Sequence, residues 1–269
     1  MKKLLFTDLD GTLLDLHTYA AEKAKESVAK LQGAGVSIIF CSSKTWAEQE
    51  HYLHELDLNE PAIVENGSAI FFPEDLKLKS PLQPALIHGK KALLLGRKYE
   101  EVVRAIYDST ADLDIALKYY NNQSVARIAE ITGLSLNAAQ KAKSRDFSET
   151  IFNALPDTDA FKSFEKALKN HGFQCIAGSK YVTITGIDSN KGKAVSLLIE
   201  AYQAKFGEVK SIGIGDSRND LEMLQCVDSP YLVKKPDNTW ANLFAKNISK
   251  IAAIGPDGWN IMAEELLAD

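Results

Sequence analysis

Two carboxylates spaced i, i+2, Asp8 and Asp10, directly follow the short apolar run Leu4-Leu5-Phe6-Thr7 and precede Gly11 and Thr12. Alternate positions of a strand point to one side, so the pair would repel unless a cation lay between them. Gly11 allows a sharp turn, after which Thr12 can return a hydroxyl or amide to the carboxylates or to an oxyanion. A second acidic string, Gly213-Ile214-Gly215-Asp216-Ser217-Arg218-Asn219-Asp220, also follows an apolar run. Asp216 is placed to join Asp8 and Asp10 around a hard divalent cation. Mg2+ suits such a site, because it takes few carboxylates and keeps water and a substrate phosphate oxygen. Asn219 and Asp220 would orient ligands or bound water from behind. Either string alone also reads as a solvated acidic turn or a helix cap.

A phosphate held there needs hydroxyl and cationic donors. Ser42 follows the apolar run Val36–Cys41, and its hydroxyl and the next amides suit a phosphoryl oxygen, with Ser43 competing for that role. Lys191 stands at a helix start, where the helix dipole mildly disfavours a cation. It is less odd there if it neutralises a phosphate and a nucleophile together. The bland alternative is a surface lysine, which suits the neighbouring Lys193.

The elements that must position these groups read as a parallel α/β sheet. Strands are expected at 3–7, 36–41, 61–64 and 211–215, each ending in one of the polar strings, with helices at 20–32, 46–56 and 191–206. Thr45 with Glu48 forms a capping-box pattern, and 68–72 reads as the return arm of a hairpin after Glu65-Asn66-Gly67. Parallel sheets bind ligands at the carboxyl ends of their strands, so four distant segments converge on one edge. Pro73, Pro81 and Pro84 interrupt the pattern. Beyond them strands at 91–95, 115–120, 149–154, 173–177 and 180–185 and helices at 98–108, 124–132, 135–143 and 157–171 suggest a separate α+β unit. From Ser189 the first style resumes, with a short helix at 219–225, apolar runs at 231–233 and 251–253, a helix near 238–245, and a last helix at 259–267. The expected division is 1–84 with 188–269 as catalytic core and 85–187 as an inserted α+β cap.

At 269 residues the chain can bury a substantial core, and 45% hydrophobic with 25% charged residues is ordinary for a globular protein. A formal charge of −5 gives no reason to expect nucleic acid or an anionic membrane as partner. Cys41, Cys175 and Cys226 lack metal-type spacing and read as small core residues of a reducing compartment. The first apolar run ends too early for a signal peptide, and none approaches the ~20 residues of a membrane helix. A cytoplasmic monomer or homodimer is expected. One stretch, Val125–Ser135 followed by Ala138–Ala142, also has the look of a helix-turn-helix. Its second helix offers only Lys141 and Lys143 in an acidic chain, which favours a helical hairpin within the cap.

Together these residues resemble the haloacid dehalogenase-like phosphohydrolases. Asp8-Leu9-Asp10-Gly11-Thr12 is similar to their first motif, Ser42 to the second, Lys191 to the third and Gly215–Asp220 to the fourth. The insertion between the second and third resembles the cap of the Cof-like branch. The resemblance implies a Rossmann-like parallel-sheet core of the haloacid dehalogenase type. It also implies a mechanism: Asp8 as nucleophile, Asp10 as acid and base, Ser42 and Lys191 on the phosphoryl oxygens. Mg2+ would be held by Asp8, the main-chain carbonyl of Asp10 and Asp216, with Thr12, Asn219 and Asp220 behind them.

A narrower resemblance, to the mannosyl-3-phosphoglycerate phosphatases, rests on Cys41–Glu48, Val64–Ile70, Arg145–Ile151 and Ala177–Val182. It implies a phosphorylated glycoside as substrate, hydrolysed to mannosylglycerate, with the glucosyl analogue or another sugar phosphate as alternative. Ser43, Lys44 and Asn66 fall in the substrate-binding strings. Arg145, Ser179 and Lys180 are then expected at the anionic end of the substrate, and Glu65 or Glu149 at sugar hydroxyls.

Overall fold

The computed structural model describes residues 1–78, 83–178, 180–243 and 247–268. Strand β1 (Lys2–Thr7) carries the buried run Leu4-Leu5-Phe6, flanked on both faces by helices, as a central parallel strand requires. After a short 3-10 turn at Glu22–Ala24, α1 (Lys25–Gly33) buries Val28 and Leu31. β2 (Ser37–Cys41) is buried throughout. Helix α2 (Trp46–Glu55) starts on the expected capping box: Thr45 Oγ1 accepts from the Glu48 amide, and Glu48 accepts from the Thr45 amide. Such a cap is worth about 1 kcal/mol. β3 (Ala62–Val64) and β4 (Ala69–Phe72) form the expected antiparallel hairpin.

β5 (Ala85–Ile87) and β6 (Lys90–Leu94) depart from expectation. Instead of opening a separate unit, β6 pairs antiparallel with β4 and β5 with β6. Leu93 is buried in the same apolar cluster as Ile70 and Leu198, so burial against the core decides the placement. Sheet membership thus carries the larger unit to Leu94. The expected crossing segment at 81–85 falls partly on residues outside the described ones.

The smaller unit follows, with α3 (Tyr99–Thr110), α4 (Val125–Thr132), α5 (Leu136–Lys143), β7 (Ser148–Ile151), α6 (Asp159–Asn170), β8 (Phe173–Ala177) and β9 (Val182–Gly186). Its antiparallel sheet runs β7-β9-β8, covered by the apolar faces of α3 and α6. The strand expected at 115–120 is extended chain with one bridge, Tyr119 to Ile151. The Asn153 side chain takes the Lys118 amide and the Ala116 carbonyl, replacing the ladder there. Helices α4 and α5 make a hairpin, with Gly133 left-handed at φ 77° and Ile128, Ala139 and Ala142 between them. The second helix is seated on the core, where Thr45 Oγ1 donates to the Lys141 carbonyl.

The core resumes with α7 (Lys191–Phe206), β10 (Val209–Gly215), α8 (Leu221–Cys226), β11 (Ser229–Lys234), β12 (Ser249–Ile254) and α9 (Gly255–Ala268). The nine-stranded sheet has the order β12-β11-β10-β1-β2-β3-β4-β6-β5, parallel from β12 to β3. Helices α1, α2 and α9 pack one face, α7 and α8 the other. No helix forms over 238–243. Asn238 is left-handed at φ 62°, and Asp237 accepts from the Thr239 amide and hydroxyl, a local turn that competes with helix. The rest of that expected helix lies outside the described residues. Cys41 is buried, but Cys226 is at the surface rather than in the core.

Candidate active site

The strand order reverses beside β1, which has β10 on one side and β2 on the other. In open α/β sheets that is where a ligand crevice forms, beyond the carboxyl ends. Asp8 follows β1 and is anchored from below: its amide donates to the Ile214 carbonyl of β10, and its carbonyl accepts from Thr7 Oγ1. Trp259 Nε1 in turn donates to Thr7 Oγ1.

Lys191 is buried at the start of α7. Its ammonium donates at 2.6 Å to Asp8 Oδ1 and at 2.6 Å to Asp220 Oδ1. Asp220 accepts on its other oxygen from the Asp216 and Ser217 amides. It therefore fixes both the lysine and the loop bearing Asp216. Two glycines make room. At Gly11, left-handed at φ 81°, a Cβ would come within 3.0 Å of Asp216 Oδ2, and at Gly215 a Cβ would collide with the Asp220 carboxylate.

Charge follows from this packing. Burial pushes the Asp8 carboxyl up to about 7; Lys191 opposes the rise and Asp220 adds to it. Asp216 is pushed well above the usual carboxylate range, first by burial and then by Asp220 and Asp8. For Lys191, burial favours the neutral amine but is outweighed by Asp220 and Asp8, and the ammonium is held.

Asp8, Asp216 and Asp220 each bring a carboxylate oxygen to within 4.8 Å of the others. The three buried carboxyl groups outnumber the one ammonium, so a further cation is what would keep all of them ionised, and the donor set is all oxygen. That set fits Mg2+.

Asp10 turns to a different partner. Lys44 Nζ lies 3.0 Å from Asp10 Oδ1 and 3.4 Å from Glu48 Oε1, itself buried at the start of α2. The two aspartates of the first motif are thus held by separate lysines. Ser42 is buried after β2, its Oγ accepting from the Lys44 amide at 3.3 Å. Ser43, Lys44 and Asn66 line the cavity above Asp8 and Asp10, with Ser217 and Asn219. Asn219 Nδ2 donates to Asn66 Oδ1. Thr12 directs its amide to the Leu9 carbonyl, and its buried hydroxyl meets no hydrogen-bond partner among the described residues.

The cap closes the cavity with Tyr120, Thr132, Arg145, Lys180, Tyr181 and Thr183. Arg145 is buried; its guanidinium donates to the Ser43 carbonyl at 2.8 Å and to Ser148 Oγ, and lies 3.7 Å from Glu65. Lys180 Nζ donates to the Leu16 carbonyl at 2.9 Å and to Tyr19 Oη at 3.2 Å. The two glutamates expected at sugar hydroxyls have other partners. Glu65 accepts from the Asp146 and Phe147 amides and from Ser148 Oγ, which ties the cap to the end of β3. Glu149 accepts from Tyr99 Oη and the Asn121 and Thr150 amides. Neither lines the cavity. Ser179 lies outside the described residues.

Sequence reasoning missed Tyr19, which lines the cavity from the loop after the first motif. Its φ of 58° is unusual for an aromatic residue and costs about 1–3 kcal/mol. The nearest signal is Asp15, whose carboxylate accepts from the His17 and Thr18 amides and so shapes the turn.

A parallel sheet that gathers buried aspartates, a lysine and a serine on one edge beneath an inserted cap is the architecture of the haloacid dehalogenase class. The haloacid dehalogenase-like hydrolase family model matches residues 5–252, and the chain belongs to that family. It is 36% identical over 99% of its length, and 98% of the relative's, to a glucosyl-3-phosphoglycerate/mannosyl-3-phosphoglycerate phosphatase of Methanococcoides burtonii. It is 38% identical to a mannosyl-3-phosphoglycerate phosphatase of Pyrococcus furiosus, over 87% of this chain and 91% of that one. Among solved structures, a Thermoplasma acidophilum protein matches with a TM-score of 0.66 at 18% identity, covering 98% of both chains, a likeness of fold. The chain is an enzyme, a phosphatase of the haloacid dehalogenase-like hydrolase family.

Proposed function

We propose that the enzyme hydrolyses mannosyl-3-phosphoglycerate to mannosylglycerate and inorganic phosphate through an aspartyl-phosphate on Asp8. The observation that carries this reading is that the two aspartates are held by separate lysines. Asp8 is aimed by Lys191 and faces the acidic cluster, whereas Asp10 stands apart on Lys44.

In the first step a carboxylate oxygen of Asp8 forms a bond to phosphorus while the ester P–O bond breaks. The Asp10 carboxyl gives its proton to the departing alkoxide. In the second step the Asp10 carboxylate takes a proton from water, the resulting hydroxide bonds to phosphorus, and Asp8 leaves as carboxylate with release of phosphate. Lys191 and Ser42 hold the phosphoryl oxygens. Asp8 and Asp216, with the Asp10 carbonyl, would hold Mg2+, and the Asp220 carboxylate stands close enough to join them. The cation, when bound, offsets repulsion between the phosphate and the aspartates.

Substrate choice belongs to the cap. Among the described residues, Lys44, Arg145 and Lys191 each have a carboxylate within 4 Å, whereas Lys180 donates to a carbonyl and a phenol. Lys180 is therefore the cavity cation best able to take the glycerate carboxylate. Glucosyl-3-phosphoglycerate is the second reading, favoured by the dual name of the Methanococcoides relative.

Phosphate release from mannosyl- and glucosyl-3-phosphoglycerate, sucrose phosphate and simple sugar phosphates, with Mg2+ or with a chelator, tests the proposal. Preferred, metal-dependent cleavage of a glycosyl-3-phosphoglycerate is expected. Equal cleavage of every ester would refute the substrate, and undiminished activity in chelator would refute the metal.

A further inference from the structure

Tyr19 is spent at every polar atom. Its amide donates to the Asp15 carbonyl at 2.8 Å, and its carbonyl accepts from Tyr52 Oη at 2.9 Å. Its phenol donates to the Thr132 carbonyl at the end of α4 and accepts from Lys180 Nζ, both at 3.2 Å. One phenol of the core thus holds two separate parts of the cap, beside the reaction centre. Burial, followed by the nearby Asp10, pushes the phenol up to about 12, so the donor persists through neutral pH.

The two core contacts of Lys180, Leu16 and Tyr19, lie on this same loop. They use two of its three N–H donors and leave the third for the cavity that both side chains line. Neither partner carries charge, so an incoming carboxylate gains a charge-assisted hydrogen bond without first displacing an ion pair.

We propose that Tyr19 is a positioning residue that makes the enzyme selective for phosphate esters bearing a second, carboxylate charge, by aiming Lys180 into the cavity. This rests on the reading of a glycosyl-3-phosphoglycerate as substrate. The left-handed backbone of Tyr19 is retained because it delivers the phenol to both cap contacts at once.

Tyr19→Phe keeps the ring and removes both contacts of the hydroxyl. The test compares kcat and KM for mannosyl-3-phosphoglycerate with those for 4-nitrophenyl phosphate, which has no carboxylate. In the variant, KM for the glycoside is expected to rise about five-fold with little change in kcat, the scale of one weakened charged hydrogen bond. Both constants for 4-nitrophenyl phosphate are expected to stay within about two-fold. Tyr19→Phe should also add nothing to Lys180→Gln. Equal losses on the two esters, or additive losses in the double variant, would overturn the proposal while leaving the substrate reading intact. A wild-type enzyme that fails to prefer the glycoside would instead overturn that reading, and this proposal with it.

Discussion

At the scale of single residues the site is a set of matched buried charges, and unmatched members are expensive. Lys191 stands between two buried carboxylates. Lys191→Met leaves both without their cation, and a loss of roughly 3–5 kcal/mol in urea unfolding is expected, together with loss of turnover. Adding Asp220→Asn should recover part of the stability but none of the activity. Much of this was legible in the chain, because Asp8, Asp10, Lys191 and Asp216 stand at strand ends or a helix start that apolar runs define. The pairing of Lys44 with Asp10 was not, since it depends on how the loop after β2 is held, with the Lys44 carbonyl accepting from the Glu65 amide beyond β3. The partners of Glu65 and Glu149, amides of the cap together with the hydroxyls of Ser148 and Tyr99, were likewise not legible, because the fold sets them.

Among elements, the loop from Asp15 to Tyr19 lines the cavity, and the junction at Glu65 ties the cap to the core. Asp15 is held below its ordinary pKa by hydrogen bonds from Thr18, His17 and the Thr18 hydroxyl. A depressed folded pKa means stability that is present above the unfolded value, near 3.9, and lost as pH falls through the folded one. Asp15→Asn should therefore unfold earlier in urea at neutral pH by a few tenths of a kcal/mol, after solvent screening, with the gap closing in acid. A gap that persists unchanged below pH ~3 would contradict this assignment.

Glu65→Gln should loosen the cap, because an amide offers one acceptor where three donors now converge. Hydrogen exchange at the Asp146 and Phe147 amides should accelerate about ten-fold or more, while exchange along β1 stays unchanged. Helix α7 and the Thr45 cap could be read from local signals. The return of β6 to the core sheet and the single bridge in the run before Tyr120 could not, because partners distant in sequence decide them.

For the whole molecule, two structural units meet at one cavity: the sheet edge lines it with Asp8 and Asp10, and the cap with Arg145, Lys180 and Tyr181. Their contacts run through Glu65, Arg145, Tyr19 and Lys180, beside the cavity that both units line. Both units were visible in the sequence as a break and resumption of strand–helix style, although the sheet reached further along the chain than the prolines implied. The central claim is that Asp8 carries the phosphoryl group. Acid quenching during turnover of mannosyl-3-phosphoglycerate with Mg2+, followed by peptide mass analysis, tests it most directly. A phosphate adduct on the peptide containing Asp8, absent in an inactive Asp8→Asn enzyme, is the expected result. Sustained phosphate release by Asp8→Asn, or an adduct on another residue, would contradict the account.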